Sequence, residues 1–162
     1  MDRRIKPKHR FFVTDDQFRA GNIIITGQQA HQLCNVLRMS PGDRIVVLDN
    51  KNSQYNVVLL TVTRTEVVGK ITGKTKATGE PAVSITLYQS LLRQDRFNYV
   101  LQKCTELGVA HFVPLVVQRS IIRSAEAVTP NKLARWQRIL TEAAEQSQRA
   151  RIPRLSPPVT LH

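Results

Sequence analysis

Apolar residues recur along this chain at two periods, and the pattern changes near the middle. The β-branched run Asn22–Thr26 and the segments Arg44–Asp49, Gln54–Arg64 and Val67–Ile71 predict short strands. Phe11–Val13 predicts a strand ahead of them. Ala30, Leu33, Cys34 and Leu37, spaced i, i+3, i+4, i+7, predict one helix among these strands. Thr26, with Gln29 three residues later, reads as a capping box at the helix start. Ser40-Pro41-Gly42-Asp43 reads as the turn that stops it, and Asp49-Asn50-Lys51-Asn52 as a second turn. One helix among several short strands predicts a small barrel-like β domain.

Thr72–Pro81 (TGKTKATGEP) is poor in apolar residues and places a domain boundary there, giving domains 1–78 and 79–162. Beyond it the order becomes strand (Val83–Tyr88), helix (Gln94–Leu107, ended by Gly108), strand (Ala110–Val117) and a long helix. Thr129-Pro130 supplies that helix with an N-cap and a proline at its first position. Its buried stripe is read as Leu133, Trp136, Leu140, Ala143 and Ser147. The alternation predicts a parallel α/β layer, so the fold class is α+β: a β-barrel followed by the first part of an α/β domain. Two strands make a small parallel sheet, and the chain is expected to end about where a third begins, with Ile152–His162 leading towards it.

Charge adds the first functional clue. Twenty-four Lys and Arg oppose twelve Asp and Glu, a net +12. The excess is spread: thirteen bases face seven acids in residues 1–80, and eleven face five in 81–162. A basic surface over both halves suits a long polyanion such as RNA better than one flexible arm does. With 41% hydrophobic residues the chain is globular, and it has no apolar run long enough to cross a membrane. The opening MDRRIKPKHR lacks the apolar core of a signal peptide. Cys34 and Cys104 fall in helical apolar patterns and read as small core residues in a reducing, cytoplasmic compartment. The four histidines have no ligand spacing with them, so no metal site is expected.

Two motifs are decoys. Gly69-Lys70-Ile71-Thr72-Gly73-Lys74-Thr75 misses the phosphate-loop count, since Val68 stands where the first glycine belongs, and no helix can open through Ala77–Pro81. No G-x-G-x-x-G occurs among the seven glycines. No nucleophile constellation stands out either, because Asp15-Asp16 reads as a solvated pair and Ser120 and Ser124 lack evident His and Asp partners.

Three polar clusters are candidates for RNA contact. His31, Asn35 and Arg38 share a side of the first helix, which is either a phosphate- and base-binding face or a solvated one. Arg93, Arg96 and Lys103 surround the start of the helix after Tyr88, near a loop at the carboxyl end of a parallel strand, where α/β folds bind ligands. Glu142, Glu145, Gln146 and Arg149 lie away from the Trp136 stripe and, with Arg151 and Arg154, either grip a backbone or form intrahelical ion pairs.

Several strings in order resemble the bacterial 16S ribosomal RNA (uracil-N3)-methyltransferase family of the SPOUT class. They are Arg10-Phe11-Phe12-Val13, His31 with Val36-Leu37-Arg38-Met39 and Gly42-Asp43, and Asp95-Arg96-Phe97. Gln102-Lys103-Cys104-Thr105-Glu106-Leu107-Gly108-Val109, Pro114-Leu115 and Arg119-Ser120 follow. Arg135-Trp136, Glu145-Gln146-Ser147, Arg149 and Ile152-Pro153 complete the series. The resemblance implies an N-terminal PUA-like RNA-binding barrel and a C-terminal α/β domain with a trefoil knot. It also implies S-adenosylmethionine as cofactor, 16S ribosomal RNA in the small subunit as partner, and a homodimer. It assigns Arg10, His31 and Arg38 to RNA and Arg119, Gln146 and Arg149 to the substrate side of methyl transfer.

Val117-Gln118 departs from the family pattern, which has a hydroxyl residue and Glu there. The family's Gly-Pro-Glu-Gly-Gly and Leu-Arg-x-Glu-Thr-Ala strings would lie beyond His162. No cofactor-binding residue is therefore expected within these residues, and the chain alone is expected not to methylate RNA. The alternative is a non-enzymatic RNA-binding module associated with the ribosome.

Overall fold

The computed structural model describes residues 9–118 and 124–161 and divides the chain into two compact units, Met1–Thr78 and Gly79–His162. No described helix is long and apolar enough to cross a membrane.

The first unit is one mixed, curled sheet. Its strands are β1 (Arg10–Phe12), β2 (Phe18–Arg19), β3 (Asn22–Thr26), β4 (Arg44–Leu48), β5 (Ser53–Val62) and β6 (Glu66–Lys76). Their spatial order is β1-β4-β5-β6-β3-β2, with β1 parallel to β4 and every other pair antiparallel. Alternation sends Ile23, Ile25, Ile45, Val47, Val57, Leu59 and Val67 into one core with Phe11, Ala30 and Leu33. Burying each large aliphatic side chain contributes roughly 1.5–3 kcal/mol, which sets the register firmly. Gly69 sits in β6 where an added Cβ would collide with the Val57 side chain, so a side chain there would push the two strands apart.

Three local features differ from the sequence-based expectation. β6 runs to Lys76, into the segment read as a boundary, because Thr75 and Lys76 pair with Gln54 and Ser53. The predicted helix is α1 (Gly27–His31) continued by a π-helical turn over Gln32–Val36, in which the Leu37 amide donates to Gln32 O. The Thr26 capping box is not formed: Gln29 Nε2 instead donates to Phe12 O at 2.8 Å, tying α1 to β1. The capping exchange occurs at Thr14, whose amide donates to Gln17 Oε1 at 2.9 Å.

The second unit is a parallel sheet with helices. Its elements are β7 (Ile85–Ser90), α2 (Gln94–Glu106), β8 (Val109–Val116), α3 (Pro130–Gln146), β9 (Arg154–Leu155) and β10 (Val159–Thr160). β7 pairs along one side of β8, and β9 and β10 follow one another along the other. A third strand is thus present but interrupted, since Pro157 and Pro158 have no amide to donate to the ladder. Thr129 caps α3 as its sequence predicts, accepting from the Lys132 amide. Phe97 of α2 meets Trp136 of α3 with ring centroids 4.5 Å apart, inside a core with Leu101, Phe112, Val116 and Leu140. Ser147, read as part of the α3 stripe, is half-buried and donates to Ala143 O.

Candidate nucleic-acid interface

In the first unit, α1 and its π turn carry His31 and Arg38 exposed and Asn35 half-buried. The wider i→i+5 winding keeps His31 and Asn35, four apart, on one side. Arg38 follows the helix with φ 52°, a left-handed position that Gly or Asn usually takes, at a cost on the order of 1 kcal/mol. A cation at a helix carboxyl end recovers part of that cost, and here it holds the guanidinium out in solvent. Arg10 is fixed differently. Its Nη2 donates to Gln54 Oε1 at 3.3 Å, while its Nε is buried without a partner among the described residues. Burial lowers its pKa from the ordinary arginine value.

In the second unit, Arg93 caps α2 just beyond the carboxyl end of β7, and it and Arg96 are exposed. This is the sheet rim at which parallel α/β folds place ligands. Lys103 lies about two and a half turns along α2, in its last turn rather than around its start with Arg93 and Arg96, and is paired with Glu106 at 2.9 Å. The pair is solvent-exposed and contributes little to stability. On α3, Glu142 pairs with Arg138 at i, i+4, so that part of the third cluster is an intrahelical ion pair. Gln146 ends α3 and is exposed.

The helical grouping does not hold for Arg149. α3 stops at Gln146, Gln148 turns left-handed (φ 60°), and the Arg149 side chain enters the interior at 3% exposure. Its Nη2 and Nε donate to Glu80, at 2.6 and 3.3 Å, and its Nη1 donates to Thr105 O and Val109 O. Glu80 also accepts from the Ala150 and Arg151 amides. One ion pair therefore joins the start of the unit, the α2–β8 turn and the end of α3. Burial alone would raise the Glu80 pKa; the Arg149 hydrogen bond and charge, with the two amides, outweigh it and hold the carboxyl below its ordinary value of 4.5. Gly79 and Gly108, both at positive φ, border this joint, where a Cβ would strike Gln148 O or Pro81. Sequence reasoning missed Glu80, which lies 69 residues from its partner inside a segment that reads as a linker. Arg119 lies outside the described residues.

Comparisons with known proteins cover both units. The model of an RNA methyltransferase PUA domain matches residues 25–72, and that of an RNA methyltransferase domain matches residues 79–162. The chain is 32% identical to the ribosomal RNA small subunit methyltransferase E of Synechocystis over 94% of its own length and 48% of the relative's. It is 31% identical to that of Bacillus subtilis over 90% of its length and 58% of the relative's. The chain thus spans about half the length of these curated relatives. The structure of ribosomal RNA small subunit methyltransferase E from Neisseria gonorrhoeae bound to S-adenosyl methionine aligns with TM-score 0.84 and 29% identity, over 94% of this chain and 62% of that one. A methyltransferase from Legionella pneumophila in complex with the same cofactor gives 0.85 and 26%, over 93% and 62%. The mixed, curled sheet of the first unit, the parallel α/β second unit and these matches agree, and the chain belongs to the RNA methyltransferase domain family.

Proposed function

We propose that this chain carries the RNA-recognition unit and the first part of the methyl-transfer unit of an S-adenosylmethionine-dependent methyltransferase acting at N3 of a uridine in 16S ribosomal RNA. The observation that carries this reading is the match of both units in order, 25–72 to the PUA model and 79–162 to the methyltransferase model. His31, Asn35, Arg38 and Arg10 on one unit, and Arg93, Arg96 and Lys103 on the other, supply phosphate and sugar contacts, which position RNA and provide most of its affinity. The target base must leave its stack to react, and backbone contacts offset that cost. The uridine N3–H is weakly acidic and must lose its proton, so a cation beside O2 or O4 stabilises the anion that develops. Arg119 and Gln146 are the residues proposed to face that base, and Arg149 acts through the α3 end that it anchors. The complete protein works in the cytoplasm as a homodimer.

The cofactor supplies an electrophilic sulfonium methyl. The carboxyl rim of the parallel sheet, where it would bind, presents Leu91, Leu92, Arg93, Val117 and Leu161 among the described residues. With Ser90 and the exposed Gln118 beside them, these residues offer apolar surface, one cation and two polar side chains, fewer donors and acceptors than an adenosine and an amino acid need. These residues fit the edge of a seat rather than a whole one.

The test uses small ribosomal subunits lacking the modification, with methyluridine read by mass spectrometry. The expected result is salt-dependent RNA binding by this chain, with methyl transfer only when the longer family sequence is present. Absence of RNA binding, or tight calorimetric binding of S-adenosylmethionine to the 162 residues alone, would overturn the reading.

A further inference from the structure

Sheet register in the first unit brings together cations that the sequence scatters. Arg44 pairs with Val58, Val58 with Lys70, Lys70 with Asn22, and Asn22 with Arg19. These residues form one line across β4, β5, β6, β3 and β2. Directly paired residues project from the same face of a sheet. Their neighbours Ile45, Val57, Leu59 and Ile23 are core residues, so the line lies on the outer face. Arg44, Lys70 and Arg19 are exposed, and Asn22 and Val58 are half-buried. Strands lie about 4.8 Å apart, so successive cations stand roughly 10 Å from one another and the line is roughly 19 Å long. Arg10 lies on the same face, diagonal to Arg44, because its own partner is Val46.

No described carboxylate forms an ion pair with Arg19, Arg44 or Lys70. The acid beside Arg44, Asp43, turns back to accept the Ser40 amide at 2.8 Å. On β6 the acid is Glu66, four residues from Lys70 and opposite Thr26. One end of the line is held by the two-residue turn Ala20-Gly21, both at positive φ, which locks Arg19 opposite Asn22. The Gly21 carbonyl accepts from the Ile71 amide, binding that hairpin to β6. The line therefore sits on rigid strands; Arg44 and Lys70 have no described carboxylate partner, while Arg19 lies within reach of the Asp16 charge and donates to Phe18 O at 3.3 Å.

We propose that Arg44, Lys70 and Arg19, with Asn22 between the last two, form a second RNA-backbone track on the outer face of this sheet, separate from the His31–Asn35–Arg38 helix. This rests on the RNA-binding reading above and adds a site to it. A row of evenly spaced cations, none of them in a described ion pair, matches a polyanion that follows the curve of the sheet, with the Asn22 amide available to a sugar hydroxyl or phosphate oxygen. It reads no sequence, since it offers nothing shaped for a base edge.

The test measures the affinity of the full chain for a 16S ribosomal RNA fragment across a salt series. Each phosphate contact adds about 0.7–0.9 to the slope of log affinity against log salt. Arg19→Gln/Arg44→Gln/Lys70→Gln is expected to lower the slope by about 2–3 and to weaken binding on the order of ten- to a hundredfold at 0.1 M salt. Arg19→Lys/Arg44→Lys should keep the slope, because phosphate contact needs charge more than shape. Lys51→Gln/Arg135→Gln/Arg138→Gln removes the same charge elsewhere and should change the slope by less than about 1. An unchanged slope in the first variant, or an equal loss in the third, overturns the proposal while leaving RNA binding intact. So does loss of binding to phosphatidylserine vesicles with the RNA slope preserved. Failure of the unaltered chain to bind RNA at all removes the underlying reading instead.

Discussion

The two units solve the same problem, fixing strands around a core, by different means. In the first, β4, β5 and β6 follow one another as antiparallel neighbours and share one aliphatic core. Pairing among those three strands is local, so hairpins and alternation are enough for them, while β1 and β3 are added by longer-range pairing with β4 and β6. In the second, every pairing is parallel and must be closed by distant segments. That unit adds a buried ion pair, Glu80–Arg149, which ties together segments 69 residues apart. Among the described residues it also leaves more large apolar side chains open to solvent, Val83, Ile85, Tyr88, Tyr99, Leu107, Val159 and Leu161, against Val36 and Leu60 in the first unit. Antiparallel order is thus held by side chains that exclude water, and the parallel unit depends in addition on one polar joint.

Breaking that joint should have the largest effect. Arg149→Leu leaves Glu80 facing a buried site and abandons the Thr105 and Val109 carbonyls, at a cost of about 3–5 kcal/mol. Hydrogen exchange should then show protection lost across 79–161 and kept in β3 to β6. Equal loss in both units would show that the joint is not specific to the second. The converse change is Gly69→Ala, which forces a methyl against Val57 and should cost about 1–3 kcal/mol. Its protection loss should fall on the first unit. The smallest effect is the response to acid. Because Glu80 titrates below 4.5 when folded, the pair stabilises the second unit fully above that pH and is lost as pH falls through the lowered value. A urea midpoint for the second unit should drop between pH 6 and pH 3 in the native chain, and drop less in Glu80→Gln.

The elements that read clearly from sequence are those whose signal is local. β3 appears at its expected residues because Ile23 and Ile25 alternate with Asn22, Ile24 and Thr26. α3 begins where Thr129-Pro130 says it should, since a cap acts on the adjacent turn. β2, only two residues long, has no period to detect. The π turn is equally silent, because Ala30, Leu33 and Leu37 fit an α-helix until the Leu37 amide selects Gln32. Among the candidate site residues, His31, Arg38, Arg93 and Arg96 reach solvent as their polar character suggests. Arg149 does not, because one left-handed residue after α3 redirects it inward.

Composition, alternation and capping by themselves determined a basic chain with a strand-rich first half and an α/β second half, since each of those signals is carried within a few residues. Tertiary structure alone decided that Arg149 spends its charge on Glu80 and that Arg19, Arg44 and Lys70 stand in line. Both outcomes depend on which distant backbone segments lie side by side, and that is fixed by the packing of the whole core.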